Sequence, residues 1–177
     1  PWLWQRSTCT VRDRSARFRM AELLIMRHAK SSCASPGLPD HDRPLNDRGR
    51  GDAPRVGQLL AAEDLLPDAV LCSTACRTMQ TWELLSVAAG CDVNPRYEEA
   101  IYLASAGDLL EQLQSLPPGC ERGMIIGHNP GLETLVGMLT GRPVTLPTAA
   151  LVLVEIRGPW DAIASGRFVR QWKPKEL

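Results

Sequence analysis

The chain has 177 residues, 44% hydrophobic and 23% charged, with 20 basic against 20 acidic side chains. Zero formal charge leaves no basic field to recruit nucleic acid or a membrane surface, and no apolar run of about 18 residues is present to span a bilayer. A chain of this length and composition is expected to fold as one globular domain with its own core, without disulfide or metal staples.

The first 19 residues carry Arg6, Arg12, Arg14, Arg17 and Arg19 against Asp13 alone, with Trp2 and Trp4 at the start and no apolar stretch of secretory type. We read residues 1–19 as a poorly ordered extension, with translation beginning at Met20, and residues 20–177 as a single domain. Glu22 to Met26 is a short apolar run, expected to be a buried strand, and it ends in the polar loop Arg27-His28-Ala29-Lys30-Ser31-Ser32. Asn46 or Asp47 is expected to cap a helix to about Glu63, with Pro54 kinking it or marking its true first turn. Ala69 to Cys72 reads as a second buried strand. Ser73 or Thr74 is then expected to cap a helix from Cys76 to about Ala89, ended by Gly90. Asp92 to Leu103 holds at most a short strand. Ser105 caps a helix through Leu116, and Pro117-Pro118-Gly119 stops it. Gly123 to Gly127 is a third strand. Asn129 as cap and Pro130 at the first helical position open a helix with Leu132, Leu135, Val136 and Leu139 on one face. Strands over Ala150 to Ile156 and Arg167 to Trp172 complete the chain.

Strands alternating with helices predict an α/β fold, a three-layer α/β/α sandwich around a mostly parallel sheet. Ligands in such sheets bind beyond the carboxyl ends of the strands. The residues just past the first three strands are Arg27-His28, Ser73 to Arg77, and His128-Asn129. Two arginines, two histidines and helix N-termini converging on one edge suit a phosphate dianion. A neutral imidazole among cations can attack phosphorus, giving a phosphohistidine and dividing one hard displacement into two easier ones. His41, in Asp40-His41-Asp42-Arg43, is read as non-catalytic, at the entrance.

The six cysteines (Cys9, Cys33, Cys72, Cys76, Cys91 and Cys120) form no C-x-x-C and no zinc spacing. We expect reduced thiols and a cytoplasmic protein. A regulatory disulfide between Cys72 and Cys76 is the one pairing that proximity suggests.

Four segments, in order, resemble the histidine phosphatase superfamily (phosphoglycerate mutase-like) in its short SixA-type phosphohistidine phosphatase branch. They are Leu24 to Ser31, Asp42 to Gly49, Cys72 to Thr81, and Ile126 to Gly131, and the resemblance spans about Glu22 to Trp172. It implies that fold and a metal-independent phosphatase with no cofactor. His28 would be the phosphorylated nucleophile, Arg27 and Arg77 phosphate ligands, and His128 the second pocket histidine. Arg43 would add a substrate contact. The usual Arg-His-Gly is here Arg27-His28-Ala29. For the general acid the resemblance points to the Glu98-Glu99 region; we take Glu99, with Asp42 as substitute. Ser73 is read as structural.

The brief stretch from Asp92 to Ser105 leaves little for a lid, so a bulky partner, a phosphohistidine on another protein, is the favoured substrate. A small phosphorylated metabolite is the alternative. A non-catalytic phosphate-binding module and a metal hydrolase using His28, His41 and His128 rank below both.

Overall fold

The computed structural model describes residues 20–32 and 37–177, so the expectations for the N-terminal stretch, Cys9 and Cys33 fall outside it. Among the described residues, six strands form one sheet. In chain order the elements are β1 (Glu22–Arg27), α1 (Asp47–Ala62), β2 (Ala69–Ser73), α2 (Cys76–Ala89), β3 (Arg96–Glu98), α3 (Ala106–Gln114), β4 (Arg122–Gly127), α4 (Gly131–Thr140), β5 (Leu151–Arg157) and β6 (Ser165–Trp172). The spatial order is β3-β2-β4-β1-β5-β6. The pairs β1–β4, β2–β4 and β2–β3 are parallel, whereas β5 runs antiparallel to β1 and β6 to β5.

Continuous apolar runs form strands here because both faces of the sheet are covered. Successive residues point to opposite faces. Leu24 and Met26 of β1, Val70 and Cys72 of β2, and Met124 and Ile126 of β4 join one core with Val56 and Leu60 of α1 and Trp82 and Leu85 of α2. Leu23, Ile25, Leu71 and Ile125 join the other, with Leu109 and Leu113 of α3 and Leu132, Leu135 and Val136 of α4. This is the expected three-layer sandwich.

Helix ends depart from the sequence reading where the site competes for the capping groups. Asn46 caps α1, its side chain accepting from the Gly49 N–H at 2.9 Å, and Pro54 lies inside one continuous helix instead of marking a first turn. Ser105 and Asp108 form a capping box on α3, which ends at Gln114, two residues early. Neither Ser73 nor Thr74 caps α2: the flanking residue is Ala75, with no side-chain cap. The Ser73 hydroxyl meets His128 and the Thr74 hydroxyl meets His41. Asn129 does not cap α4 either; its amide donates to Glu133 and to the Leu146 carbonyl.

Candidate active site

Parallel pairing puts the ends of β1, β2 and β4 on one edge. The His28 N–H donates to the Gly127 carbonyl at 3.1 Å, and the Ala149 N–H is shared by the carbonyls of Arg27 and His28. The Ala29 N–H donates to Thr81 Oγ1 at 3.0 Å, and that hydroxyl donates to the Arg77 carbonyl at 2.6 Å. Thr81 thus fastens the loop after β1 to the first turns of α2. Ala29 is fully buried and is not among the residues with left-handed φ, so its methyl group, at the position where the resemblance implies Gly, brings no backbone strain.

These strand ends enclose a hollow of about 250 Å³ whose walls include Arg27, His28, Asp40, Arg43, Arg77 and His128. The two imidazoles lie 5.1 Å apart between ring centroids, tilted by 52°. Their hydrogen bonds assign opposite tautomers. His28 Nδ1 faces the Ala29 carbonyl at 2.7 Å, which can only accept, so Nδ1 carries the proton and Nε2 the lone pair. His128 Nδ1 lies 3.2 Å from Arg77 Nη2, which can only donate, so Nδ1 is the bare nitrogen and Nε2 donates to Ser73 Oγ at 2.9 Å. Burial, then the nearby guanidinium charges, pushes the His28 pKa down to about 4 against the Ala29 hydrogen bond. Burial, then His28 and Arg77, pushes His128 down to about 3. Both rings are neutral at pH 7.

Arg27 donates from Nη1 to the Leu146 carbonyl at 2.8 Å, while its Nε is buried without a partner. Burial lowers its pKa, opposed by Glu133. Arg77, only 4% exposed, donates from Nη1 to the Asp40 carbonyl at 2.5 Å and from Nη2 to Asp40 Oδ2 at 2.9 Å. Arg43 donates to Asp40 Oδ1 at 2.7 Å, to Ser31 Oγ at 3.2 Å and to the Ser32 carbonyl at 2.8 Å. Tyr102 Oη completes the ring around Asp40, donating to Oδ2 at 2.8 Å. The Tyr102 hydrogen bond, then Arg43 and Arg77, hold the Asp40 carboxyl down at about 2 despite the opposing effect of burial.

Arg27, His28, Arg43, Arg77 and His128 are therefore brought together. The acids singled out from the sequence are not. Glu99 is exposed at the start of a single turn, Glu99–Ile101; Glu98 pairs with Arg96 at 2.7 Å; Asp42 faces His41 at 3.3 Å. None of the three lines the hollow, whereas Asp40 does. Asp40 and Tyr102 were missed because an Asp-His-Asp-Arg loop does not reveal which carboxylate turns inward; the adjoining Arg43 was the available signal. His41 stands one layer out, its Nε2 at 3.0 Å from Thr74 Oγ1 and its ring edge-on to Tyr102 at 4.9 Å. Among the described residues, no three His, Cys, Asp or Glu side chains cluster so as to hold a metal ion. Cys72 and Cys76 are both free, and burial pushes the Cys72 thiol up to about 12.

The model for the histidine phosphatase superfamily (branch 1) matches residues 23–115. An uncharacterized chloroplastic protein of Arabidopsis thaliana is 34% identical over 149 residues, which cover 78% of this chain and 68% of that protein. An uncharacterized protein of Mycobacterium tuberculosis is 32% identical over 152 residues, 80% of this chain and 93% of its own length. Among solved structures, one from Agrobacterium tumefaciens, assigned as phosphohistidine phosphatase SixA, superposes with a TM-score of 0.77 at 27% identity, covering 88% of this chain and 99% of that one.

Proposed function

Because the chain belongs to the histidine phosphatase superfamily, branch 1, and is on that ground a phosphatase, we propose that it hydrolyses a phosphoramidate through a covalent phosphohistidine on His28. The favoured substrate is a phosphohistidine on another protein, and residues 20–177 form the single domain that acts on it, in the cytoplasm. The observation that carries this reading is the Nε2 of His28: deprotonated, without a hydrogen-bond partner, and set in a hollow walled by arginines.

The first step forms a bond from His28 Nε2 to phosphorus as the phosphorus–nitrogen bond of the substrate breaks, its electron pair leaving with the substrate's imidazole. Arg27, whose Nε lacks a partner, and Arg77, once it leaves Asp40, take the phosphoryl oxygens, so charge developing in the transition state meets guanidinium donors. His128 adds a further donor once its single ring proton moves from Nε2 to Nδ1 by exchange with solvent; the Ser73 hydroxyl then reverses and donates a hydrogen bond to the bare Nε2, and Arg77 Nη2 turns from Nδ1 to the phosphoryl oxygen. Water then attacks phosphorus, its two protons ending on inorganic phosphate or solvent, and His28 is restored. The guanidinium groups supply the positive charge, so no metal enters the scheme.

Two features support the phosphoramidate over an alkyl phosphate. The one carboxyl among the named walls, Asp40, is held ionised down to about pH 2, so it has no proton to give a poor leaving group at pH 7. An imidazole protonated at its distal nitrogen leaves without such help. Further, pockets that enclose a whole small molecule run to about 300–1,000 Å³; a hollow of about 250 Å³ takes a phosphoryl group and one ring and leaves the rest of the substrate outside. Small phosphomonoesters with good leaving groups are the second reading.

Brief exposure of the protein to a radiolabelled phosphoramidate, followed by quenching, should leave acid-labile, base-stable label on His28. His28→Ala should carry no label and no p-nitrophenyl phosphate hydrolysis, with the far-ultraviolet circular dichroism spectrum unchanged. Hydrolysis by the native chain should persist in EDTA. Near-native turnover by His28→Ala would end the proposal.

A further inference from the structure

Arg77 cannot meet a phosphoryl group as the free protein holds it. Both of its terminal nitrogens are engaged by Asp40, one by the backbone carbonyl at 2.5 Å and one by Oδ2 at 2.9 Å, and the second is shared with His128. Although Arg77 lines the hollow, the chain itself engages both terminal nitrogens before any anion arrives. The other oxygen of Asp40 takes Arg43 at 2.7 Å. Among the described residues nothing hydrogen-bonds to the buried Nε of Arg27 or to the Nε2 of His28, and both residues line the same hollow. On the Arg77 side of the site the guanidinium is thus held by a carboxylate of the chain itself.

We propose that Asp40 is an internal stand-in for the phosphate dianion, occupying Arg77 and Arg43 until a phosphoryl group displaces it. This rests on the reading of Arg77 as a phosphate ligand. Residue 40 is placed to yield: its side chain is 47% exposed, and it opens a single turn of 3-10 helix, Asp40–Asp42, in a loop. Tyr102 acts as the hook, its hydroxyl donating to the same oxygen that takes Arg77. The exchange has two consequences. A monoanion gains little by replacing a carboxylate, so the site selects dianions. Inorganic phosphate must also compete with a carboxylate tethered beside it, so product is expelled instead of retained. Without such an occupant, a pocket of two or three arginines would hold its own product tightly.

The test is calorimetric titration of the full chain with inorganic phosphate at pH 7, alongside p-nitrophenyl phosphate kinetics. Asp40→Asn keeps the shape and removes the charge; it should tighten phosphate binding by about tenfold, the scale of one charge-assisted hydrogen bond, and lower KM without raising kcat. Tyr102→Phe should shift both quantities the same way by a smaller factor. Phosphate affinity that is unchanged or weakened in both variants overturns the proposal. So does a large loss of kcat in Asp40→Asn at unchanged phosphate affinity, which would assign Asp40 to proton transfer. Arg77→Ala serves as the separate control. If it binds phosphate as the native chain does, the phosphate site itself is misplaced; if it loses binding while Asp40→Asn gains none, only the stand-in role fails.

Discussion

Because the Ala29 carbonyl takes the Nδ1 proton of His28, the reactive lone pair stays on Nε2 whatever substrate arrives, and because burial holds the ring pKa near 4, that lone pair survives into acid solution. An imidazole at its ordinary value of about 6.5 would be only about one-tenth deprotonated at pH 5.5. With His28 at about 4, the acid limb of kcat/KM, which reports the free enzyme, should lie below pH 5. Rates measured with a substrate already dianionic at pH 5.5 check this; a limb near 6.5 would mean that His28 is not the nucleophile or is not buried. At this scale the sequence was readable where a residue's place follows from a strand end: Arg27, His28, Arg77 and His128 were expected beside one another, and all four line one hollow. It was not readable where the part depends on which way a loop turns. Asp40 and Tyr102 lie 62 positions apart and meet through one hydrogen bond, and Ser73 resembled a helix cap until His128 proved to be its partner.

At the scale of elements, the approach of α1 to the loop after His28 sets the tightest tolerance. A Cβ on Gly49 would lie 2.2 Å from the Lys30 carbonyl oxygen, and the same carbonyl accepts the Asn46 N–H at 3.0 Å. Gly49→Ala should therefore destabilise by about 1–3 kcal/mol, since forced overpacking outweighs the gain in helix propensity. Its melting temperature should fall by several degrees, at about 2–4 °C per kcal/mol, and kcat should fall with it because the displaced loop carries the Ala29 carbonyl. Gly51→Ala, where a Cβ meets nothing within 4 Å, should leave both unchanged or raise stability slightly. Measuring the pair separates a packing effect from a propensity effect. Strand and helix positions were legible because apolar runs and their breakers recur with the right periods. Caps were less so: Asn46 and Ser105 serve as caps, whereas the side chains of Ser73, Thr74 and Asn129 bond instead to His128, His41 and Glu133.

For the molecule as a whole, two buried neutral histidines make stability depend on pH. Both have native pKa values below the unfolded value of about 6.5, so below that pH the unfolded chain binds protons that the native chain refuses. Their contribution is intact above pH 6.5 and is lost as pH falls toward 4 and then 3. For His28 alone the loss between pH 7 and 4 is on the order of 3 kcal/mol, given its native value of about 4. Denaturant unfolding at pH 7 and at pH 4.5 should show the difference, and His28→Asn should shrink it. The three-layer architecture was legible from the alternation of elements, but the strand order was not, since pairing across a hundred positions leaves no local mark.

That order has a consequence for synthesis. β4 enters the sheet between β2 and β1, so the strand that leads into His128 is also the wedge that joins β2, which leads into the Arg77 helix, to β1, which leads into His28. A nascent chain that stops before residue 122 has His28 and the three guanidinium groups of Arg27, Arg43 and Arg77 but no central strand to align them. On the proposed mechanism, competence to accept a phosphoryl group is therefore conferred only when the central gap is filled, and a product terminated before residue 122 should show no phosphatase activity.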